Sequence, residues 1–325
     1  MRGKIDLEGH FAIQDTAGDS ERYFDKDAWP KFAEKILGFT NIRLEEMDQY
    51  GIEKMILSLN SPAVQAITDK KRAVEVAKRS NDIMADIMQK RPDRFLGFAA
   101  LPLQDPDAAV LELQRCVKDL GCVGILANSF SQTDENGGYK YYDDPIYRPF
   151  WAEVAKLDVP FYLHPREPMP CNIQSIAGHP WLEGAAWAFG VDTATHALRI
   201  MCSGILDEHP NLKFILGHLG ETLSFCIWRT QNRISKTDRG LPAKRPLTEY
   251  MLKNFWYTTS GQNHTSSLLN TMMEFGTDRI LFATDFPFET IQDACEWFDN
   301  CPINENDRYK IGRQNTIDLF KLGNK

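Results

Sequence analysis

Several absences narrow the field before any motif is read. No two of the seven cysteines are spaced C-x-x-C, and their number is odd. With Cys116, Cys122, Cys202 and Cys226 in apolar surroundings, they read as reduced core residues of a cytosolic protein. No long uncharged apolar run is present, so no membrane span is expected. Asp6 and Glu8 interrupt the first apolar stretch, which therefore does not read as a secretory signal. Positive charge is in deficit, 37 Lys and Arg against 45 Asp and Glu, for a net charge of −8. Nucleic acid is therefore not the default partner. No G-x-G-x-x-G follows the first strand and no G-x-x-x-x-G-K-[ST] occurs anywhere, which counts against a nucleotide-binding open sheet. Repeats, low-complexity tracts and linkers are missing too, so residues 1–325 are expected to form one domain.

What is present is an alternation of short apolar runs with helical patterns. Strands are expected at 4–10, 54–59, 94–100, 123–126, 159–163, 212–216, 254–259 and 279–284. Helices are expected at 43–50, 70–90, 105–120, 149–156, 182–206 (mostly), 221–234 and 267–275, with a closing helix holding Ile317, Leu319 and Phe320. Gly51 and Gly121 are placed to end two of them, and Asp105-Pro106 to begin one. A polar loop with Asn136-Gly137-Gly138 follows the fourth strand. The aromatic segment from Gln14 to about Thr40 is long for a strand-to-helix connection, so it either borders a site or packs a short helix on the surface. Eight strands alternating with helices predict parallel pairing and a closed (β/α)8 TIM barrel.

In such barrels the chemistry sits where the strands end. The residues there are Glu8 and His10 on the first strand, Asn128 on the fourth, His164 on the fifth, His218 on the sixth and Asp285 on the eighth. Three of only seven histidines thus fall at strand ends. Glu8 and His10 are two apart and share one face of an extended strand. Two carboxylates and up to three imidazoles suffice to hold one divalent metal with an open position. His218, in Gly217-His218-Leu219-Gly220-Glu221, reads equally well as a ligand or as an acid/base group steadied by Glu221. Each has a plainer reading: Asp285 as a helix cap, His164 as a turn residue. His196 reads as a helix-face residue and His209 as a helix end, while His179 and His264 take no assignment.

The combination Leu7-Glu8-x-His10-Phe11, Phe161-Tyr162-Leu163-His164-Pro165, Ile215-Leu216-Gly217-His218-Leu219-Gly220-Glu221, Thr258-Thr259-Ser260-Gly261 and Arg279-Ile280-Leu281-Phe282-x-x-Asp285 resembles the amidohydrolase superfamily. Within it, the chain is similar to the non-oxidative o-hydroxybenzoate decarboxylases, and His10 favours the branch acting on 2,6-dihydroxybenzoate over those acting on 2,3-dihydroxybenzoate or salicylate. The resemblance implies a carboxy-lyase in a (β/α)8 barrel, one divalent metal (zinc or manganese) per subunit and a homotetramer. It implies Glu8, His10, His164 and Asp285 as metal ligands and His218 with Glu221 as an orienting pair. Asp285 would protonate the ring carbon that carries the carboxylate. A carboxylate beside a dication stays ionised, so its proton would have to arrive with the substrate. Arg43, Asn128 and Arg229 are candidates for holding substrate oxygens, and Phe24, Phe286 and Phe288 for flanking the ring. In place of the Leu-Glu-Glu-His of the family, this chain has Gly9, whose position points away from the metal. The rivals are a metal-dependent hydrolase of a lactone or amide, with Asp285 as base, and a non-catalytic scaffold.

Overall fold

Eight parallel strands run in chain order around the molecule. They are β1 (Lys4–Phe11), β2 (Ile52–Leu59), β3 (Phe95–Ala99), β4 (Gly124–Asn128), β5 (Phe161–His164), β6 (Phe214–Leu216), β7 (Phe255–Thr258) and β8 (Ile280–Leu281). Each is hydrogen-bonded to the next. The computed structural model describes residues 1–21, 23–133 and 138–324. The Asn136-Gly137 part of the expected polar loop lies outside them, and the chain on either side pairs as a short antiparallel ribbon, Ser131–Gln132 with Tyr139–Lys140. The last strand returns to the first. Leu7 N–H donates to the Phe282 carbonyl at 3.1 Å and His10 N–H to the Phe286 carbonyl at 2.7 Å, so the sheet closes as the (β/α)8 barrel expected.

Two apolar layers follow from strand alternation. Leu7, Ile56, Phe98, Leu126, Tyr162, Ile215, Leu281 and Ala283 fill the barrel, with Leu319 below them. Met55, Leu57, Phe95, Ile125, Phe161, Phe214 and Phe255 face the helices. This is the packed interior that an eight-stranded barrel requires. The helices begin and end where capping chemistry allows. Asp69 accepts from Arg72 N–H at 2.7 Å and Asp105 from Ala108 N–H at 3.1 Å, while Gly51 and Gly121 adopt left-handed backbone at the two stops.

Some boundaries differ from expectation for local reasons. β8 is shorter than 279–284 because its later N–H groups leave the ladder: Phe282 donates to the Ile311 carbonyl, Ala283 to the Thr259 hydroxyl and Thr284 to the Asp6 carboxylate, each at 3.0 Å. The helix expected from 182 forms over Ala188–Cys202, after two short 3-10 turns. The helix expected from Glu221 forms over Leu223–Ile234, because residues 218–222 turn left-handed instead. The long first loop carries a helix, Trp29–Leu37, which buries Phe32 and Ile36.

Gly9 faces the helix layer. A Cβ there would lie 2.2 Å from Met55 Sδ and 3.1 Å from Arg43 Nη1. Gly9→Ala is expected to lower stability by about 1–3 kcal/mol, as overpacking a closed core does. Chemical denaturation measures this; an unchanged midpoint would mean that Met55 swings clear.

Candidate active site and metal centre

Four side chains converge at the C-terminal mouth of the barrel. Ligand-type atoms of Glu8, His10, His164 and Asp285 all lie within 4.8 Å of one another. Glu8 Oε1 is 3.3 Å from His10 Nε2 and 3.1 Å from His164 Nε2, and His10 Nε2 is 3.3 Å from Asp285 Oδ1. Bonds of 2.0–2.2 Å to one ion would place neighbouring donors about 3.0–3.5 Å apart. Three of the donor pairs thus already have the spacing that a divalent cation requires, and the mixed oxygen and nitrogen donors suit zinc or manganese.

Each donor is aimed by a partner behind it. His164 Nδ1–H donates to Asn128 Oδ1 at 2.8 Å, which leaves Nε2 for the centre. Ser58 Oγ pairs with His10 Nδ1 at 3.0 Å. Tyr162 donates its hydroxyl to Glu8 Oε2 and lies 2.9 Å from Thr258 Oγ1. Such outer bonds set tautomer and ring orientation. Burial alone would push Glu8 and Asp285 up, yet hydrogen bonds and charge from His10, with His164 or His218, hold both carboxyls below their usual range. Burial pushes His10 down, but Asp285 and Glu8 outweigh it and raise the imidazole to about 9. Burial dominates at His164, which is lowered.

His218 stands apart from the four. Its Nδ1–H donates to Glu221 Oε1 at 2.7 Å, and its Nε2 faces Asp285 Oδ2 at 3.8 Å. Burial lowers this imidazole, but Glu221 and then Asp285 outweigh it and raise it well above the usual value. Residues His218, Leu219, Gly220, Glu221 and Thr222 all have positive φ. For the four that are not glycine this is a costly backbone, of order 1–2 kcal/mol each. The turn folds Glu221 back under its own histidine, the kind of strain that functional sites hold. Asp285 is also left-handed, at φ 65. Gly261 keeps the gap between them open: a Cβ there would lie 3.0 Å from His218 Cδ2 and 3.4 Å from Asp285 Oδ2. Above His218 and Asp285 opens a cavity of about 660 Å³, walled by Trp187, Phe189, Phe225 and Gln262.

The candidates for substrate contact divide. Phe288 has its ring 5.5 Å from that of His10 and packs on Phe32, on which Phe24 stacks at 4.0 Å. Phe288 therefore borders the site, and Phe24 stands behind it through Phe32. Arg43, Phe286 and Asn128 are corrected by their surroundings. Arg43 lies on the helix side of β1, where its guanidinium donates to the His10 carbonyl at 2.6 Å and covers the Phe286 ring at 4.7 Å. Phe286 is wholly buried in that outer core. Asn128 is used up by His164 and by the Asn60 carbonyl, to which its amide donates at 2.9 Å. Arg229 is exposed on helix Leu223–Ile234, one turn beyond Phe225, which lines the cavity. The sequence reading does not identify Tyr162 and Ser58 as partners of the donors, nor Thr258 as the partner of Tyr162. Tyr162 shares the strand face of His164, which is the signal that could have found it. His196 is buried, accepting Tyr142 N–H at 2.9 Å and meeting Ser129 Oγ at 3.3 Å.

The profile of the Amidohydrolase family matches residues 5–322. The chain is 55% identical over 324 residues to gamma-resorcylate decarboxylase of Rhizobium sp. (strain MTP-10005), covering 99% of both chains. It is 52% identical over 327 residues to gamma-resorcylate decarboxylase of Rhodococcus jostii (strain RHA1), again with 99% of both covered. A solved 2,6-dihydroxybenzoate decarboxylase complexed with 2,6-dihydroxybenzoate superposes with a TM-score of 0.96 at 54% identity, over 99% of this chain and 100% of that one. A dihydroxybenzoic acid decarboxylase from Polaromonas sp. JS666, with bound manganese and the inhibitor 2-nitroresorcinol, gives 0.98 at 50% identity, over 100% and 98%.

If Asn128 aims His164, Asn128→Ala should weaken binding of Mn²⁺ by about 10- to 100-fold. Titration of the metal-free protein reads this directly. Unchanged affinity would show that His164 is held by other means.

Proposed function

The chain belongs to the amidohydrolase family, and from that premise we propose that it is a metal-dependent, non-oxidative decarboxylase converting 2,6-dihydroxybenzoate reversibly to resorcinol and carbon dioxide. The observation that carries this reading is the placing of Asp285, which joins the four-donor cluster through Oδ1 and faces His218 through Oδ2. One divalent ion per subunit, Zn²⁺ or Mn²⁺, would be held by Glu8, His10, His164 and Asp285. Bound there, it would polarise the substrate carboxylate and the adjoining ring oxygen.

The chain's own residues supply the rest. Decarboxylation requires a proton on the ring carbon that bears the carboxylate, at the cost of aromaticity in that step. Asp285 is the general acid. It is ionised before substrate arrives, since His10 and His218 outweigh the effect of burial. The proton it delivers is therefore the one it takes from the ortho hydroxyl of the incoming substrate. The carbon–carboxylate bond then breaks, carbon dioxide departs, and the product oxygen regains a proton from water. His218, fixed by Glu221, holds a proton at Nε2 toward the substrate oxygens. Phe24, Phe32 and Phe288 form an aromatic edge beside His10 against which the ring can rest.

We also read residues 1–325 as one such domain, working in the cytoplasm as a homotetramer. The free cysteines among the described residues support a reducing compartment. Large apolar side chains lining the mouth, Phe225 at 86% and Trp187 at 53% exposed, support a subunit contact there.

The test is release of carbon dioxide and resorcinol from 2,6-dihydroxybenzoate, before and after chelation, with Zn²⁺ and Mn²⁺ restored separately. Turnover should vanish with the metal and return with it. Product-free protein that still binds metal tightly would favour the lactone or amide hydrolase. Asp285→Asn should abolish turnover, by at least 10²- to 10⁴-fold on the scale of general acid catalysis. Near-normal turnover would remove Asp285 as the acid. His10→Ala should weaken metal binding, and unchanged metal content would exclude it as a ligand.

A further inference from the structure

Asp6 is neither a lining residue of the cavity nor a member of the four-donor cluster, yet it holds the backbone of two strands at the level where they deliver those donors. β1 is irregular at this point. Asp6 is paired with Met55 but Gly9 with Leu57, so β1 spends one more residue than β2 over the same stretch. The extra residue lets neighbours do different work. Leu7 joins the apolar layer inside the barrel while Glu8, directly after it, reaches the cluster of donors. Such a bulge takes a backbone N–H out of the ladder, and a buried N–H needs another acceptor.

Asp6 provides that acceptor. Its Oδ1 takes the Glu8 N–H at 3.0 Å and the Thr284 N–H at 3.0 Å, and its Oδ2 takes the Thr284 hydroxyl at 2.5 Å. Glu8 is one carboxylate of the cluster, and Thr284 immediately precedes the other, Asp285. The backbone bonds across this seam lie to either side, from Leu7 to Phe282 and from His10 to Phe286. One fully buried side chain thus closes the barrel at the height of the two carboxylate ligands. With no side chain at Gly9, Asp6 is the carboxylate on the helix side of β1 here, beside Arg43 and Cys295.

We propose that Asp6 is a positioning residue for the metal centre: by gripping the Glu8 and Thr284 backbone it sets the separation of the Glu8 and Asp285 carboxylates, and with it metal affinity and turnover. The inference rests on the metal-binding reading of the four donors. It requires acceptor oxygens rather than a particular charge. In Asp6→Asn the remaining oxygen can take both N–H groups, and the amide can donate to the Thr284 hydroxyl. In Asp6→Leu no acceptor remains.

The experiment is equilibrium titration of the metal-free protein with Mn²⁺ alone, followed by kcat and KM for 2,6-dihydroxybenzoate at saturating Mn²⁺. Asp6→Leu should bind Mn²⁺ about 10- to 100-fold more weakly than the unaltered protein. It should also lose kcat more than it raises KM, because Asp285 is displaced. Asp6→Asn should restore affinity to within about threefold, a rescue that a mere packing role would not require. Should Asp6→Leu fail to fold, Thr284→Val keeps the shape, removes one bond and should cost about three- to tenfold in affinity. Unchanged Mn²⁺ affinity in Asp6→Leu, or in Thr284→Val where that variant carries the test, overturns the proposal. An unaltered protein that binds no Mn²⁺ would overturn the metal reading itself, and this inference with it.

Discussion

Glu8 is fully buried and the Asp285 side chain only 15% exposed, and carboxylates so far withdrawn from water are tolerable only near positive charge. Much of the mouth is an answer to that requirement. Without an ion, the imidazoles supply the charge by retaining protons, which is why His10 and His218 are both raised against the pull of burial. A divalent cation held by the four donors would meet the same need with more charge at shorter range. The outer partners then acquire a common purpose. Tyr162, Ser58 and Asn128 each engage the far atom of one ligand, so that the near atom is turned inward.

Holding such a cluster demands accuracy from the backbone, and the seam between β8 and β1 is where the barrel departs from regularity to provide it. β8 leaves its ladder early, β1 is bulged, and Asp285 is left-handed. The left-handed turn after β6 adds further strain at His218 and Glu221. These local costs are borne by the apolar layers on either side of the sheet, where Phe161, Phe214 and Phe255 face the helices and Leu7, Ile56 and Ile215 fill the barrel. Stability comes from the middle and bottom of the barrel, and the mouth draws on it.

The two sides of the mouth differ in character. Near β1 the wall is aromatic and already packed, with Phe24, Phe32 and Phe288 in mutual contact beside His10. Near β6 and β7 the wall includes Trp187 and Phe225, both largely exposed. One side therefore stands ready to bound a flat ring, while the other presents apolar surface of the kind that association covers.

The order of strands and helices was legible in the sequence because burial imposes periodicity. Apolar runs of strand length alternate with helical spacing, and Gly51, Gly121 and Asp105 mark the boundaries by backbone and capping chemistry that acts within a few residues. The convergence of donor groups was legible for a related reason: Glu8, His10, His164, His218 and Asp285 are polar groups at the ends of apolar strands, and barrel topology brings all strand ends to one face; the choice of four among them came from the family resemblance. The roles of Arg43, Asn128, Phe286 and Asp6 were not legible. An arginine that could meet a substrate carboxylate and one that holds the His10 carbonyl look alike in one dimension, and an asparagine at a strand end does not disclose whether it faces a ligand or a histidine. The sequence by itself determined the architecture and the set of donor groups, through patterns local to each element. Only the tertiary structure decided which polar side chains face the cavity and which stand behind it, because that depends on bonds between residues as far apart as Asp6 and Thr284.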